Sequence, residues 1–236
     1  MNRASHLLLI VATVAGFWAS PSVAQTGEEI VVTASRREAD DYDENAPLIG
    51  LRRTADFAVR PVKVTGDTRD APRRREEIYE MVRNAVEMAG RAGVDLSVGE
   101  VVLTPVTLAN YRDLALVTDN RPDTEAAHFY VKASLRGTDA KAALDRIERF
   151  MKAVRTVGRA ELVPTEDLTL SVVDPDQYRP EIMRLIAADA QRSAGSMGSN
   201  YAVEVTGLDK RVLWSRDGLT EVFLYVPYSY RVVPGR

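Results

Sequence analysis

The sequence predicts an α+β fold: a β-α-β-β-α-β unit, then a third helix and a C-terminal antiparallel β-meander. Three observations carry this expectation. Apolar residues recur at helical spacing in three separate stretches, a cleanly alternating strand lies between the first two, and the last part of the chain breaks into short β-prone runs separated by turn residues.

At the N-terminus Arg3 is followed by an apolar run over residues 7–18 and then by Pro21-Ser22-Val23-Ala24. A positive residue, a short apolar core and small residues before the cut are the pattern of a secretory signal peptide. The run is about twelve residues, against the roughly 20 that a membrane-spanning helix needs, so cleavage after Ala24 is expected rather than a retained anchor. Removing 24 of the 236 residues leaves 212 and takes away one positive charge, which moves the formal net charge from −3 to −4. A mildly acidic, mixed surface argues against nucleic acid or an anionic membrane as the main partner. The chain has no cysteine, which excludes disulfides, thiol chemistry and a lipid-modified cysteine after the signal. The expected location is the periplasm, with no stable membrane insertion.

Residues 25–55 hold Glu28, Glu29, Glu38, Asp40, Asp41, Asp43 and Glu44 with little apolar periodicity, and are expected to form a flexible acidic tail ahead of a folded domain over residues 56–236. Residues 57–65 carry Val59, Val62 and Val64 as strand formers, with Pro61 marking an edge or bulge. Asp70 as N-cap, Pro72 in the first turn, and Ile78, Met81, Val82, Ala85, Ala89 and Ala92 at helical spacing predict the first helix, stopped by Gly93. Residues 96–106 are the next strand candidate and residues 110–124 a loop. In residues 128–136, Phe129, Val131, Ala133 and Leu135 alternate with His128, Tyr130, Lys132, Ser134 and Arg136, one apolar face against one polar face.

Thr138 is expected to cap a second helix with a stripe of Ala143, Leu144, Ile147, Phe150, Met151 and Val154, ended by Gly158. Leu168, Leu170 and Val172 mark a further strand. Asp174 and Pro175 are expected to open a third helix bearing Tyr178, Ile182, Leu185, Ile186, Ala190, Ala194 and Met197. Residues 201–206, 211–215 and 221–233, with turns at Gly207-Leu208-Asp209 and Asp217-Gly218, supply the meander. The first six elements in order spell a split β-α-β, or ferredoxin-like, arrangement.

Val64-Thr65-Gly66-Asp67, Ala89-Gly90-Arg91-Ala92-Gly93-Val94 and Ala187-Ala188-Asp189-Ala190, taken with the element order, resemble the SIMPL-domain family of exported bacterial proteins over residues 57–233. The resemblance implies a periplasmic or surface-exposed protein without established enzymatic chemistry, assembled in some cases into rings or other oligomers. The chain departs from the family at Arg60 and Pro61, and in a third helix without the longer Ala-rich repetition. A second resemblance lies in the tail, where Glu29-Ile30-Val31-Val32-Thr33-Ala34-Ser35-Arg36-Arg37 looks like the TonB box of TonB-dependent receptors. It implies a segment read by a TonB-like envelope partner, and makes Glu29, Ile30, Val31, Val32, Thr33 and Ala34 candidate partner-binding residues. An extended Ile-Val-Val-Thr run suits strand addition to an open sheet edge. The plainer readings are a β-prone tail or an extra edge strand of the chain's own sheet. No receptor barrel follows, because three helices leave too few alternating strands of the required length.

The chemistry-bearing residues are sparse. After the signal a single histidine remains, His128, and with no cysteine a zinc or redox-metal site is not expected. There is no Gly-x-Ser-x-Gly element, P-loop or dinucleotide fingerprint, so no catalytic residues and no cofactor are assigned. Arg73-Arg74-Arg75 is read as a solvated face with Glu76, Glu77 and Glu80 alongside, because cations oppose the dipole at a helix N-terminus. Asp139, Asp145 and Glu148 are read as a helix's polar face. Tyr225, Tyr228 and Tyr230 form a candidate oligomer or partner interface, with Tyr228 and Tyr230 on one face. The sequence thus points to a non-enzymatic interaction protein that engages a TonB-like or other envelope partner and self-associates into a homo-oligomer. The alternative is a small-molecule-binding or stress-protective envelope protein with its ligand between helices and sheet; an enzyme with its site in residues 110–124 comes third.

Overall fold

The computed structural model describes residues 29–32, 47–100 and 102–235, so the expected signal peptide and much of the acidic segment lie outside the described residues. The architecture is mixed α+β, with three α-helices and antiparallel strand pairings among the described residues. In chain order the elements are β1 (Glu29–Val32), β2 (Leu51–Thr54), β3 (Phe57–Gly66), α1 (Ala71–Ala92), β4 (Asp95–Val98), β5 (Thr104–Pro105), β6 (Leu116–Thr118), β7 (Glu125–Ser134) and α2 (Ala140–Ala153). They continue with β8 (Glu161–Pro164), β9 (Thr169–Val173), α3 (Arg179–Met197), β10 (Tyr201–Thr206), β11 (Leu213–Arg216), β12 (Glu221–Tyr225) and β13 (Ser229–Pro234).

Among the described residues the main sheet has eight strands in the order β1-β9-β3-β7-β4-β5, with β6 added to β7 and β8 to β3. It comes close to closing on itself, because β1 pairs with β9 on one side and on the other meets the β4–β5 connection, through an Ile30–Val102 bridge and a 2.8 Å bond from Leu103 N–H to the Glu29 carbonyl. Gly99 makes that connection tight. Its φ is +142°, and a Cβ there would lie 1.9 Å from the Val102 carbonyl oxygen, so no other residue fits.

Period-2 alternation gives the sheet two faces. On one, Ala58, Val62 and Val64 of β3, Ala127, Phe129, Val131 and Ala133 of β7, and Leu170 and Val172 of β9 pack beneath Ile78, Met81, Val82 and Ala85 of α1 and Ala143, Ile147 and Phe150 of α2. Asp70 caps α1 by accepting from Arg73 N–H at 2.9 Å, and Gly93 ends it in the left-handed conformation, both as the sequence predicts. Pro61 sits in a central strand because β3 has two partners in succession on one side. β9 pairs with residues 57–59 and β8 with residues 62–65, so the missing N–H falls at the break between them.

Several boundaries differ from expectation. The second helix is capped one residue later, by Asp139, which accepts from Ala142 N–H at 2.8 Å; Thr138 and Asp139 are both capping residues, and the turn at Gly137 makes Asp139 the last extended one. That helix ends at Ala153, and Gly158 lies beyond it in a turn. Asp174 does not cap the third helix. It adopts φ +43° ahead of a 3-10 turn over Pro175–Tyr178, and α3 begins after that. Residues 96–106 break into β4 and β5, and the expected loop at 110–124 contains a 3-10 turn at Tyr111–Asp113 and the short β6.

The C-terminal strands do not run as a meander. β10 pairs with β13, while β11 and β12 form a hairpin that recruits β2. Residues 51–54, assigned from sequence to the tail, are therefore a strand of this second sheet. No local signal marks this strand, because β2 gains its partner from 167 to 173 residues downstream, as in the register of Thr54 with Glu221 or Leu51 with Leu224. α3 buries Ile182, Ile186 and Ala190, packs on β10 and β13, and joins the same core through Val212, Val222, Leu224 and Val226.

Candidate functional site

The segment singled out from sequence is held as β1 through a polar clamp on the sheet face opposite α1 and α2. Lys132 and Ser171 project from β7 and β9 on this face, with Phe57 of β3 between them in the sheet. The Glu29 carboxylate accepts from Ser171 Oγ at 2.7 Å and from Lys132 Nζ in a short ion pair. The Lys132 ammonium also lies 4.4 Å from the centre of the Phe57 ring. The Lys132 side chain is only 7% exposed, although alternation alone puts it on a polar face. The reason is that the sheet curls toward closure and β1 brings the Glu29 carboxylate onto Lys132. Ile30, in register with Val172, lies on the opposite face of the sheet and is 5% exposed. Of the six candidate partner-binding residues, Glu29, Ile30, Val31 and Val32 are thus in one strand, whereas Thr33 and Ala34 lie outside the described residues.

The three tyrosines are divided. Tyr225 ends β12 with its ring stacked on Phe223, centroids 5.5 Å apart. Tyr228 precedes β13 and stacks on Tyr230 at 6.3 Å, in keeping with a shared face. The Tyr230 hydroxyl reaches Ser193 Oγ of α3 at 3.4 Å, and burial pushes the Tyr228 phenol above its usual range. The Tyr230 hydroxyl thus links β13 to α3, whereas Tyr225 stacks within β12.

A cleft of about 670 Å3 opens at one end of β3, lined among others by Lys63, Thr65, Asp67, Asp119, Arg121 and Arg159, with no helical residue in its wall. Asp119 accepts from Lys63 Nζ at 2.7 and 2.8 Å and from Thr65 Oγ1 at 2.8 Å. The Lys63 ammonium holds the Asp119 carboxyl below the ordinary carboxylate range, against the upward push of burial. Asp67 is likewise lowered by Arg159, whose Nε and Nη2 donate at 2.5 and 2.7 Å. A second, smaller cleft of about 350 Å3 lies between α2 and β8, lined by Arg60, Glu148, Met151, Lys152, Leu162 and Pro164.

The arginine run at the start of α1 is engaged within the fold. Arg73 donates to Glu77 at 2.9 Å, as its spacing predicts, but Arg74 and Arg75 donate to Glu125 of β7 at 2.9 and 3.0 Å. Burial pushes the Glu125 carboxyl up, and the two guanidiniums outweigh that and hold it low. Glu77 is kept low first by the Thr68 hydroxyl. The partner Glu125 was not legible from sequence because it lies 51 residues from Arg74. Glu76 pairs instead with Arg112, and His128 is exposed.

These lowered carboxylates give a pH dependence with a definite sign. A group whose folded pKa lies below its unfolded value contributes stability above the unfolded value, 3.8 for Asp119 and 4.5 for Glu77 and Glu125, and loses it as pH falls through the folded one. Asp119→Asn is expected to cost about 1–2 kcal/mol at neutral pH and to flatten the acid limb. Urea midpoints at neutral and acid pH check this; an Asn variant with the parent's full acid slope contradicts it.

Among the described residues no helix is long and apolar enough to cross a membrane. No protein-family model matches the chain, and a search of curated proteins finds no match, so the geometry of β1, the clefts and the exposed strand edges is what bears on function.

Proposed function

We propose that the chain is a non-enzymatic interaction protein of the bacterial periplasm, a SIMPL-like domain with a ferredoxin-like core, that offers its N-terminal segment to a TonB-like envelope partner and self-associates through its folded body. The core order β9-β3-β7-β4, with α1 after β3 and α2 after β7, supports the ferredoxin-like reading. The observation that carries the partner reading is β1. Glu29–Val32 is already extended and engaged in antiparallel main-chain pairing, which is the state that strand addition to a partner's sheet requires. Its hold on the domain is four residues long, so a partner's edge competes with β9 for the same backbone groups.

The test is calorimetric titration of the mature protein, with and without residues 25–40, against a TonB C-terminal domain. Binding that disappears with the deletion is expected; equal heats from both forms, or none from the longer form at high micromolar concentration, overturn the partner reading.

The two clefts favour a second reading, a small-molecule-binding envelope protein. The cleft between α2 and β8 is where a ligand between helix and sheet would sit, whereas the larger, polar one is bounded by strands and loops. This reading predicts ligand-dependent thermal stabilisation that survives removal of residues 25–40.

A further inference from the structure

We infer that the free edge of β10 is the surface through which two copies of this chain associate, as an antiparallel β10–β10 pair on a two-fold axis. The inference rests on the self-association reading above and gives it a place. β10 pairs only with β13, and among the described residues no strand lies on its other side. The bond from Gly235 N–H to the Asn200 carbonyl, in the register that pairs Tyr201 with Pro234, fixes which groups point where. Residues 202, 204 and 206 exchange hydrogen bonds with β13, so the N–H and C=O groups of Val203 and Val205 and the carbonyl of Tyr201 point outward. The Tyr201 N–H is taken by the Gly198 carbonyl at 3.3 Å.

The other edges are blunted or short. β13 presents Pro234, which has no N–H; β2 carries Arg52 and Arg53; β5 is two residues with Pro105; β11 is four residues ending in Arg216; β8 is four residues ending in Pro164; and β6 is only three residues long. β10 is six residues, Tyr-Ala-Val-Glu-Val-Thr, with no proline or cation and with its one charge, Glu204, already paired to Arg231 at 2.6 Å. An unguarded edge of good strand formers is a template for another strand.

A second copy fits this edge because the strand is complementary to itself. With the axis at Val203, its N–H donates to the carbonyl of the partner's Val203, and the Val205 N–H donates to the carbonyl of the partner's Tyr201, each bond made twice by symmetry. Val203 then faces the partner's Val203, Tyr201 faces the partner's Val205, and Ala202 faces the partner's Glu204. Moving the axis to Glu204 would set two carboxylates opposite each other, so charge selects the Val203 register. Tyr201, 47% exposed, opens this strand and supplies apolar surface that the pair covers.

The test is sedimentation velocity of the mature protein over a concentration series, with three variants. Val203→Pro removes a donor that β13 does not use and is expected to abolish the dimer. Ala202 is exposed, so substitutions there leave the core alone. Ala202→Lys, opposite the partner's Glu204, is expected to tighten the dimer about three- to tenfold, and Ala202→Glu to weaken it by a similar factor. Opposite shifts from the two charges, together with a monomeric Val203→Pro, support the pairing; a folding defect cannot produce that reversal. Assembly indifferent to all three overturns the β10 assignment while leaving self-association standing, and a parent protein that is monomeric throughout overturns both.

Discussion

Asp56→Ala is expected to lower the free energy of unfolding by about 3–5 kcal/mol, because it removes the anion from a buried hydrogen-bonded charge network. The Asp56 side chain is 0% exposed. Its Oδ2 accepts from Val173 N–H at 2.9 Å, and its Oδ1 accepts from Arg136 Nη2 at 3.1 Å and Arg53 Nη2 at 3.3 Å. Its own N–H donates to the Ser171 carbonyl, and its carbonyl accepts from Leu135 N–H. One residue therefore joins the turn between β2 and β3, the ends of β7 and β9, and the 3-10 turn, where the Arg53 guanidinium lies 4.2 Å over the Tyr178 ring and donates to its hydroxyl. This junction couples the main sheet to the second sheet.

The three partners are not equal. The Arg136 side chain is 58% exposed and regains water on losing Asp56, so Arg136→Ala is expected to cost no more than about 1 kcal/mol. The Val173 N–H and Arg53, whose side chain is 24% exposed, have less escape, and they set the cost of the alanine variant. Asp56→Asn keeps an acceptor for Val173 and falls between the two. Urea unfolding with unchanged slope and a shifted midpoint is the measurement. An alanine variant within about 0.5 kcal/mol of the parent would mean that the junction does not hold the sheets together.

The same residues show what a sequence conveys and what it does not. Helix α1 was legible in full, because Asp70, Pro72, the apolar stripe and Gly93 are local signals that agree with one another. The alternation in β7 was legible too, but its polar face was misread. Lys132 is buried there in a pair with Glu29 of β1, from a segment about 100 residues earlier that composition assigns to a tail. Asp56, Glu125 and β2 share that character: their partners are distant in sequence, so no local pattern announces them. The C-terminal strands were individually visible as short runs, yet the choice of β13 over β11 as partner of β10 is a tertiary decision that turn residues at 207–209 do not encode. For the candidate site, residues 29–32 were legible as a strand-prone run, and the clamp of Glu29, Lys132 and Ser171 was not.

Lys132→Met tests that clamp and the function proposed for it. Methionine fills most of the lysine's volume but leaves the Glu29 carboxylate with only the Ser171 hydroxyl in a largely buried setting. In a central strand such a loss would come out of global stability. β1 is only four residues long, so Glu29 can regain water when the strand leaves its slot, and the cost is expressed as undocking. A loss of about 3 kcal/mol corresponds to roughly a hundredfold shift toward the undocked form. Amide hydrogen exchange at residues 30–32 is expected to quicken by about that factor while protection across β3 and β7 stays as it was. The double variant Glu29→Met with Lys132→Met is expected to restore docking, since an apolar pair of similar size replaces a buried ion pair at little or no cost. If β1 is also the segment a partner reads, the single variant binds a TonB-like domain more tightly than the parent and the double variant does not. Faster exchange without tighter binding would leave the clamp intact as a structural device and remove β1 from the interaction proposed for it.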